Sequence, residues 1–154
     1  MSDVKLLDFI RETMEVMVEL SEEDCKERAV TVCKDDLGKF FIPEICIGSK
    51  CQVDTPTDCE GALTIADLHT HPCPESVFSS DLSVKDMKER SLKPSFEDLI
   101  SWLARSKDID YACIGNRLGS VCYDISPEEW EKTGEVNVGE FLDRLLQKKV
   151  WLKG

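Results

Sequence analysis

The chain has 154 residues, a formal net charge of −12 and a hydrophobic fraction of 42%, which predicts a single soluble globular domain over residues 1–154. So acidic a chain lacks the basic surface that nucleic acids and anionic membranes require, and none of its apolar runs is long enough to cross a bilayer. Because the N-terminus carries acidic residues and no signal-peptide pattern, we expect a cytoplasmic protein, of an oligomeric state that the sequence leaves open.

The first half of the chain predicts one helix followed by three strands. Apolar residues at helical spacing place the helix over about residues 3–20. Strands are predicted over residues 28–33 and over residues 40–48, where Pro43 indicates a sheet edge or a bulge. A third strand over residues 62–71 is rich in apolar side chains and ends at a pair of histidines.

The second half of the chain adds helices and a hairpin. Residues 73–94 have no clean period, so we expect a long loop with one helical turn near its end. A helix begins at Ser95, a strand–turn–strand follows over residues 111–125, and further helices are predicted from Ser126 and over residues 138–152. This alternation predicts a mixed α/β fold, in which the N-terminal helix and the helix after the third strand flank a mixed β-sheet.

Eight cysteines are many for a cytoplasmic chain, and no two of them form the CxxC pair that zinc ribbons and thioredoxin-like sites use. Three interpretations stay open: buried small hydrophobic residues, disulfides in an intracellular protein of a hyperthermophile, or secretion. We predict one disulfide, between Cys113 and Cys122, because these two residues flank a hairpin-like stretch.

The stretch DLHTHPCPES, residues 67–76, contains both histidines of the chain, His69 and His71. On a strand, residues i and i+2 project from the same face about 7 Å apart, so two imidazoles can converge on one metal ion where Pro72 bends the chain. The alternative is a pair of half-exposed histidines at a strand end. A catalytic zinc site would also need a third protein ligand and an open position for water.

The stretch PSFEDL, residues 94–99, offers that third ligand. Asp98 lies in the first turn of a predicted helix, three residues after Ser95, where the two residues also match the pattern of a capping box. A carboxylate that only caps the helix is therefore the alternative to a metal ligand at Asp98.

HTHP followed by PSFEDL resembles the signature of the JAMM (MPN+, JAB/Mov34-type) zinc metalloprotease family, which has a glutamate beside an early strand, then His-x-His-Pro, then Ser-x-x-Asp opening a helix. The order of elements over about residues 3–125 is similar to that of the family. The resemblance implies a single MPN/JAB-like domain, a cytidine-deaminase-like sandwich, with Zn²⁺ bound by His69, His71 and Asp98.

The chain departs from the family's motif in one spacing. The 22 residues between Pro72 and Ser95 exceed the family's gap, so residues 73–94 would be an insertion loop beside the site. Asp81, in the nearer stretch FSSDL, is the alternative third ligand.

The resemblance also implies catalytic roles for Glu27 and Ser95. Glu27 directly precedes the first strand and would act as the general base, with Glu44 and Glu60 as alternatives, whereas Ser95 would help to stabilise the oxyanion. Asp67, two residues before His69, would be either a hydrogen-bonding partner behind the metal site or a solvated surface carboxylate.

The function that the resemblance implies is a zinc-dependent peptidase or isopeptidase, which cleaves an amide bond with metal-activated water. Its partner would be a protein or peptide substrate, such as a ubiquitin-like or sulfur-carrier modifier, and neither nucleic acid nor membrane. Two alternatives stay open: a non-catalytic MPN-fold interaction module, which would lack a ligand, and a purely structural site that Cys73 closes as a further ligand.

Overall fold

The computed structural model describes residues 2–48, 59–79, 81–105, 109–125 and 138–153. The helix predicted from Ser126 begins outside these residues. Within the described ranges, no helix has the length and apolar character that a membrane span needs.

Four α-helices and seven β-strands make up the described part of the chain. The helices are α1 (Ser2–Asp24), α2 (Val84–Ser91), α3 (Phe96–Arg105) and α4 (Val138–Gln147). The strands are β1 (Arg28–Lys34), β2 (Phe40–Phe41), β3 (Cys46–Ile47), β4 (Leu63–Thr70), β5 (Tyr111–Asn116), β6 (Gly119–Asp124) and β7 (Lys149–Lys153). The predicted first helix, the strands at β1 and β4, the helix after Ser95 and the β5–β6 hairpin are confirmed, as is the mixed α/β class.

The strands form one mixed sheet in the order β2-β1-β4-β5-β6-β7, with β3 also paired to β1. Only β4 and β5 pair in parallel among the described strands, so the chain between them must cross over one face of the sheet. This crossover contains α2 and α3. Because α3 must return the chain toward the start of β5, the first turn of α3 lies at the carboxyl end of β4, beside the histidines.

The two faces of the sheet carry separate cores. On one face, α1 packs through residues such as Ile10 and Met14 against Leu68 of β4 and its neighbours. On the other face, a second cluster joins Trp102 of α3 and Phe141 of α4 to β5 and β6. Since side chains alternate along a strand, residues next to Leu68 in the sequence project to the α3 side of the sheet.

Pro43 divides the strand predicted over residues 40–48. The structure has two short strands instead, β2 and β3, both antiparallel to β1 at the edge of the sheet. Proline has no N–H to donate, so a continuous ladder cannot pass through it. The predicted edge position is confirmed and the single strand is wrong.

The helix predicted over residues 138–152 is too long. It ends at Gln147, and β7 follows it, antiparallel to β6. The run Val150, Trp151 and Leu152 is apolar but too short for its period to distinguish a helix from a strand. Pairing with β6, which is distant in sequence, decides the conformation.

The loop predicted over residues 73–94 contains a short 3-10 turn and the eight-residue helix α2. The Ser83 hydroxyl caps this helix by accepting a hydrogen bond from the Asp86 N–H at 3.1 Å. The helical turn predicted near the end of this loop is therefore present, as a helix of about two turns.

Among the described residues, three disulfides join Cys25 to Cys73, Cys33 to Cys59 and Cys113 to Cys122. The predicted Cys113–Cys122 pair is confirmed, and its two residues lie directly opposite each other on β5 and β6. No cysteine of the described residues is free. The other two connectivities do not follow from cysteine spacing alone.

Candidate metal centre

His69 and His71 lie at the carboxyl end of β4, and their side chains project to the side of the sheet that carries α3. His69 is the partner of Ala29 in the β1–β4 ladder, and His71 comes one residue after the last residue of the strand. Their ring centroids are 5.0 Å apart, and their side chains are 13% and 18% exposed. The predicted convergence of the two imidazoles is therefore present.

Asp98 completes a cluster of three ligand-type side chains with the histidines. One carboxylate oxygen, Oδ1, lies 3.1 Å from His69 Nε2, and the other, Oδ2, lies 3.3 Å from His71 Nε2. Ligand atoms around a tetrahedral zinc with bonds of about 2.0–2.1 Å are separated by about 3.3 Å. One ligand atom from each of the three side chains lies within 4.8 Å of the other two, so a single ion could contact all three.

The hydrogen bonds around the imidazoles favour metal ligation through both Nε2 atoms. His71 Nδ1 lies 2.8 Å from the carbonyl oxygen of Ser91, which can only accept, so Nδ1 donates there and Nε2 is the nitrogen left to bind a metal. His69 Nε2 is buried and has no hydrogen-bond partner among the described residues, despite its short distance to Asp98. A buried polar atom without a partner is costly, and a cation at this point would satisfy it.

Charge around the cluster is arranged to hold a cation. Burial lowers the pKa of His69. The negative charge of Asp98, together with the charges of Asp67 and Glu27, raises this pKa by more, so that it lies above its ordinary value. Burial likewise raises the pKa of Asp98, yet the charge of His69 and the contact with His71 hold that pKa well below its usual range. The carboxylates around His69 therefore favour positive charge at this point, where a metal ion would supply it.

Ser95 and Asp98 form the predicted capping box at the start of α3. The Ser95 N–H donates to Asp98 Oδ2 at 2.8 Å, and the Asp98 N–H donates to Ser95 Oγ at 3.1 Å. This reciprocal pair fixes the Asp98 carboxylate, which is only 6% exposed, in the orientation that faces the histidines. Helix capping and metal ligation are thus compatible roles for Asp98.

Glu27 lies beside the cluster through the register of the sheet. Ala29 of β1 pairs with His69, so the antiparallel register continued two residues further places Glu27 opposite His71. Glu27, His71 and Ser95 line one cavity of about 470 Å³, and Glu27 is half-buried. The structure therefore brings the predicted base, a predicted ligand and the predicted serine to one opening.

Several alternatives from the sequence do not fit this geometry. Asp81 is exposed and is not a member of the cluster. Glu44 and Glu60 are exposed and do not line the cavity. The sulfur of Cys73 is bonded to Cys25 and is not available as a ligand, so the site that Cys73 closes is excluded in the disulfide-bonded protein.

Asp67 is 5% exposed, which makes the solvated interpretation of this residue wrong. It projects to the same side of the sheet as His69, because it lies two residues before it on β4. Its charge contributes to the raised pKa of that histidine, and it is therefore part of the electrostatic environment of the cluster.

Three residues behind the histidines were not predicted from the sequence. Ser91, the last residue of α2, orients His71 through its carbonyl oxygen, and its hydroxyl accepts a 2.8 Å hydrogen bond from Asn116 Nδ2. Both residues are buried. The indole of Trp102 lies 5.8 Å from the His69 ring, between centroids. The one sequence signal for this network is a polar residue, Ser91, at the buried end of α2. Because residues 73–94 were predicted to be a loop, the burial of that residue was not expected.

Comparisons of the chain with family models, with curated proteins and with solved structures found no match.

Proposed function

We propose that this protein is a zinc-dependent hydrolase of the JAMM type, with an MPN/JAB-like fold, that cleaves a peptide or isopeptide bond. One observation carries the proposal: His69, His71 and Asp98 are spaced as ligands of one ion, and Glu27 and Ser95 face the same cavity as His71. Two neutral imidazoles and one carboxylate are a ligand set typical of catalytic zinc, because they leave a fourth position open.

A zinc ion held by these three residues would lower the pKa of a water molecule toward about 7 and would polarise a carbonyl oxygen. Two side chains of the protein would then provide proton transfer and oxyanion stabilisation. The Glu27 carboxylate takes the proton from the attacking water and returns it to the nitrogen of the leaving amine. The Ser95 hydroxyl accepts from the Asp98 N–H, so its own proton remains to be donated to the carbonyl oxygen as negative charge develops there.

The cavity supports a protein or peptide as the substrate. Besides polar residues it is lined by three prolines and by the apolar side chains of Val77 and Phe78. Val77 is 73% exposed and so offers apolar surface at the opening of the cavity. Arg90 and Lys93 add positive charge to the lining of this cavity in a protein of net charge −12. Such a surface suits an extended chain segment that carries apolar and acidic side chains.

In an isopeptide substrate, the modifier joined to the target protein would be a ubiquitin-like or sulfur-carrier protein. Neither nucleic acid nor membrane would be a partner. We keep the cytoplasm as the proposed location. Disulfides persist in the cytosol mainly in hyperthermophiles, so this location implies the hyperthermophile interpretation of the cysteines. The non-catalytic module is less favoured, because its distinguishing feature was a missing ligand and Asp98 lies in place.

The test is hydrolysis of linear fusions and isopeptide conjugates of ubiquitin-like modifiers by the zinc-loaded protein. Glu27→Gln should reduce turnover by about 10²- to 10⁴-fold, because it removes the general base, while its zinc content stays that of the wild type. Glu44→Gln is the matched control, since Glu44 is exposed and outside the cavity. Full activity in Glu27→Gln, or a zinc-loaded wild type that cleaves none of these substrates, would contradict the proposal.

A further inference from the structure

The disulfide between Cys25 and Cys73 continues the ladder that carries the candidate metal centre. Ala29 pairs with His69 across β1 and β4, and the same register leads through Glu27 and His71 to the two cysteines. Their α-carbons are 5.5 Å apart, an ordinary spacing for a disulfide. The bridge therefore lies two residues beyond both the predicted base and a predicted ligand.

The backbone between these points is not held together by ladder hydrogen bonds of its own. The carbonyl oxygen of Glu27 accepts from the N–H of Gly48, and the N–H of His71 donates to the carbonyl oxygen of Gly115. Each of the two residues is thus bonded to a different neighbour. The Arg28 N–H donates to Thr70 Oγ1 at 2.9 Å, and beyond that contact the covalent bridge connects the two segments directly.

Both half-cystines have a backbone conformation that non-glycine residues rarely adopt. Cys25 has φ 55° and Cys73 has φ 50°, in the left-handed region. Such conformations persist only where the surroundings impose them. The Cys73 N–H also donates to the carboxylate of Glu22 at 2.9 Å. On the other side, Arg28 donates to both carboxylate oxygens of Asp24 at 2.8 and 2.9 Å. The bridge therefore acts together with noncovalent contacts on both segments.

This bridge is also the accessible one. Cys25 is exposed and lines the cavity. The other two described disulfides are buried, with both half-cystines at most 6% exposed, and belong to Cys33, Cys59, Cys113 and Cys122. A soluble dithiol would therefore reach the sulfur of Cys25 before any of those sulfurs.

We propose that the Cys25–Cys73 disulfide is a positioning element of the metal centre, beside the capping box and the Ser91 contact, and that its reduction loosens the site. In the reduction, a soluble dithiol gives two electrons and two protons, the S–S bond breaks, two cysteine thiols form, and the dithiol becomes a disulfide. The relaxed Glu27 and His71 segments no longer present their side chains to one point. The inference rests on the proposed function, since it presumes that the site binds zinc.

The test compares the zinc dissociation constant of folded Cys25→Ala/Cys73→Ala with that of wild type and of Cys33→Ala/Cys59→Ala, the matched control. Loss of orienting groups around a metal typically weakens its affinity by about 10- to 100-fold. We therefore expect the zinc dissociation constant to rise by that factor in Cys25→Ala/Cys73→Ala alone. The control should lose thermal stability but keep its zinc affinity within about twofold, because its bridge lies away from the ligands. Equal zinc affinity in the first variant and wild type would overturn the inference.

Brief dithiol treatment of the wild type, followed by alkylation and mass mapping, tests the same point without a variant that could misfold. We expect Cys25 and Cys73 to be labelled first, and the fraction of zinc released to increase with the fraction of this pair that is labelled. Labelling of this pair without zinc loss, or earlier labelling of Cys33, would overturn the inference while leaving the proposed function intact. A wild type that binds no zinc before treatment would instead refute the proposed function, and the inference with it.

Discussion

Replacing Ser95 with alanine separates helix capping from chemistry at the site, because α2 offers a matched cap. Ser95 Oγ accepts from the Asp98 N–H at 3.1 Å, and Ser83 Oγ accepts from the Asp86 N–H at the same distance. Each alanine variant leaves one N–H of a first helical turn without its side-chain acceptor. An N-cap serine contributes about 1 kcal/mol, so we expect both variants to lose about that much stability.

The two variants should differ in activity. In a domain of this size, a loss of 1 kcal/mol lowers Tm by about 2–4 °C, and both proteins remain folded at assay temperature. Ser83→Ala should keep wild-type turnover, whereas Ser95→Ala should lose about 10²- to 10³-fold, the usual effect of removing one oxyanion donor. Urea unfolding and substrate hydrolysis measure the two quantities separately.

Either of two results would refute this reasoning. If Ser95→Ala loses stability like Ser83→Ala but turns over substrate normally, the hydroxyl caps the helix and has no part in the chemistry. If Ser95→Ala loses no stability, the 3.1 Å hydrogen bond does not stabilise α3, and the account of how Asp98 is oriented fails with it.

Two further predictions concern the electrostatics of the site and the packing of the sheet against α1. Zinc affinity should fall as the pH drops from about 8 to about 6, because a proton then competes with zinc for His69 Nε2. Burial lowers the pKa of this histidine, but Asp98 raises it by more, so that it lies above its ordinary value. A calorimetric titration that finds the same zinc affinity at both pH values would contradict this prediction. Gly115→Ala should destabilise the protein by about 1–3 kcal/mol in urea unfolding, since the new Cβ would lie 2.6 Å from Met14 Sδ and 2.8 Å from Ser120 Oγ. A loss below about 0.5 kcal/mol would show that Met14 can move aside at little cost.

The features that the sequence predicted correctly depend on local signals. The period-2 placement of His69 and His71, the capping box of Ser95 and Asp98, and the long amphipathic α1 each follow from residues within a few positions of one another. The choice of Asp98 over Asp81 also came from a local pattern, since only Asp98 opens a helix with a serine at the right spacing.

The features that it missed depend on contacts between distant parts of the chain. Ser91 orients His71 across 20 residues of sequence, and the bridge from Cys25 to Cys73 spans 48. Nothing near either residue signals its partner. Similarly, β7 is a strand because β6 pairs with it, although its apolar run continues directly from α4. Sequence patterns specify which residues could form a site, and tertiary pairing decides what supports them.

The most direct test of the account is the zinc content of the purified protein after exhaustive dialysis, measured by elemental analysis beside Asp98→Asn and Asp81→Asn. Asparagine keeps the size and a capping oxygen at position 98 but removes the charge that a ligand carboxylate supplies. The account predicts about one zinc per chain in the wild type and in Asp81→Asn, and loss of zinc in Asp98→Asn. Zinc retained by Asp98→Asn, or absent from the wild type, would contradict the assignment of His69, His71 and Asp98 as a metal centre.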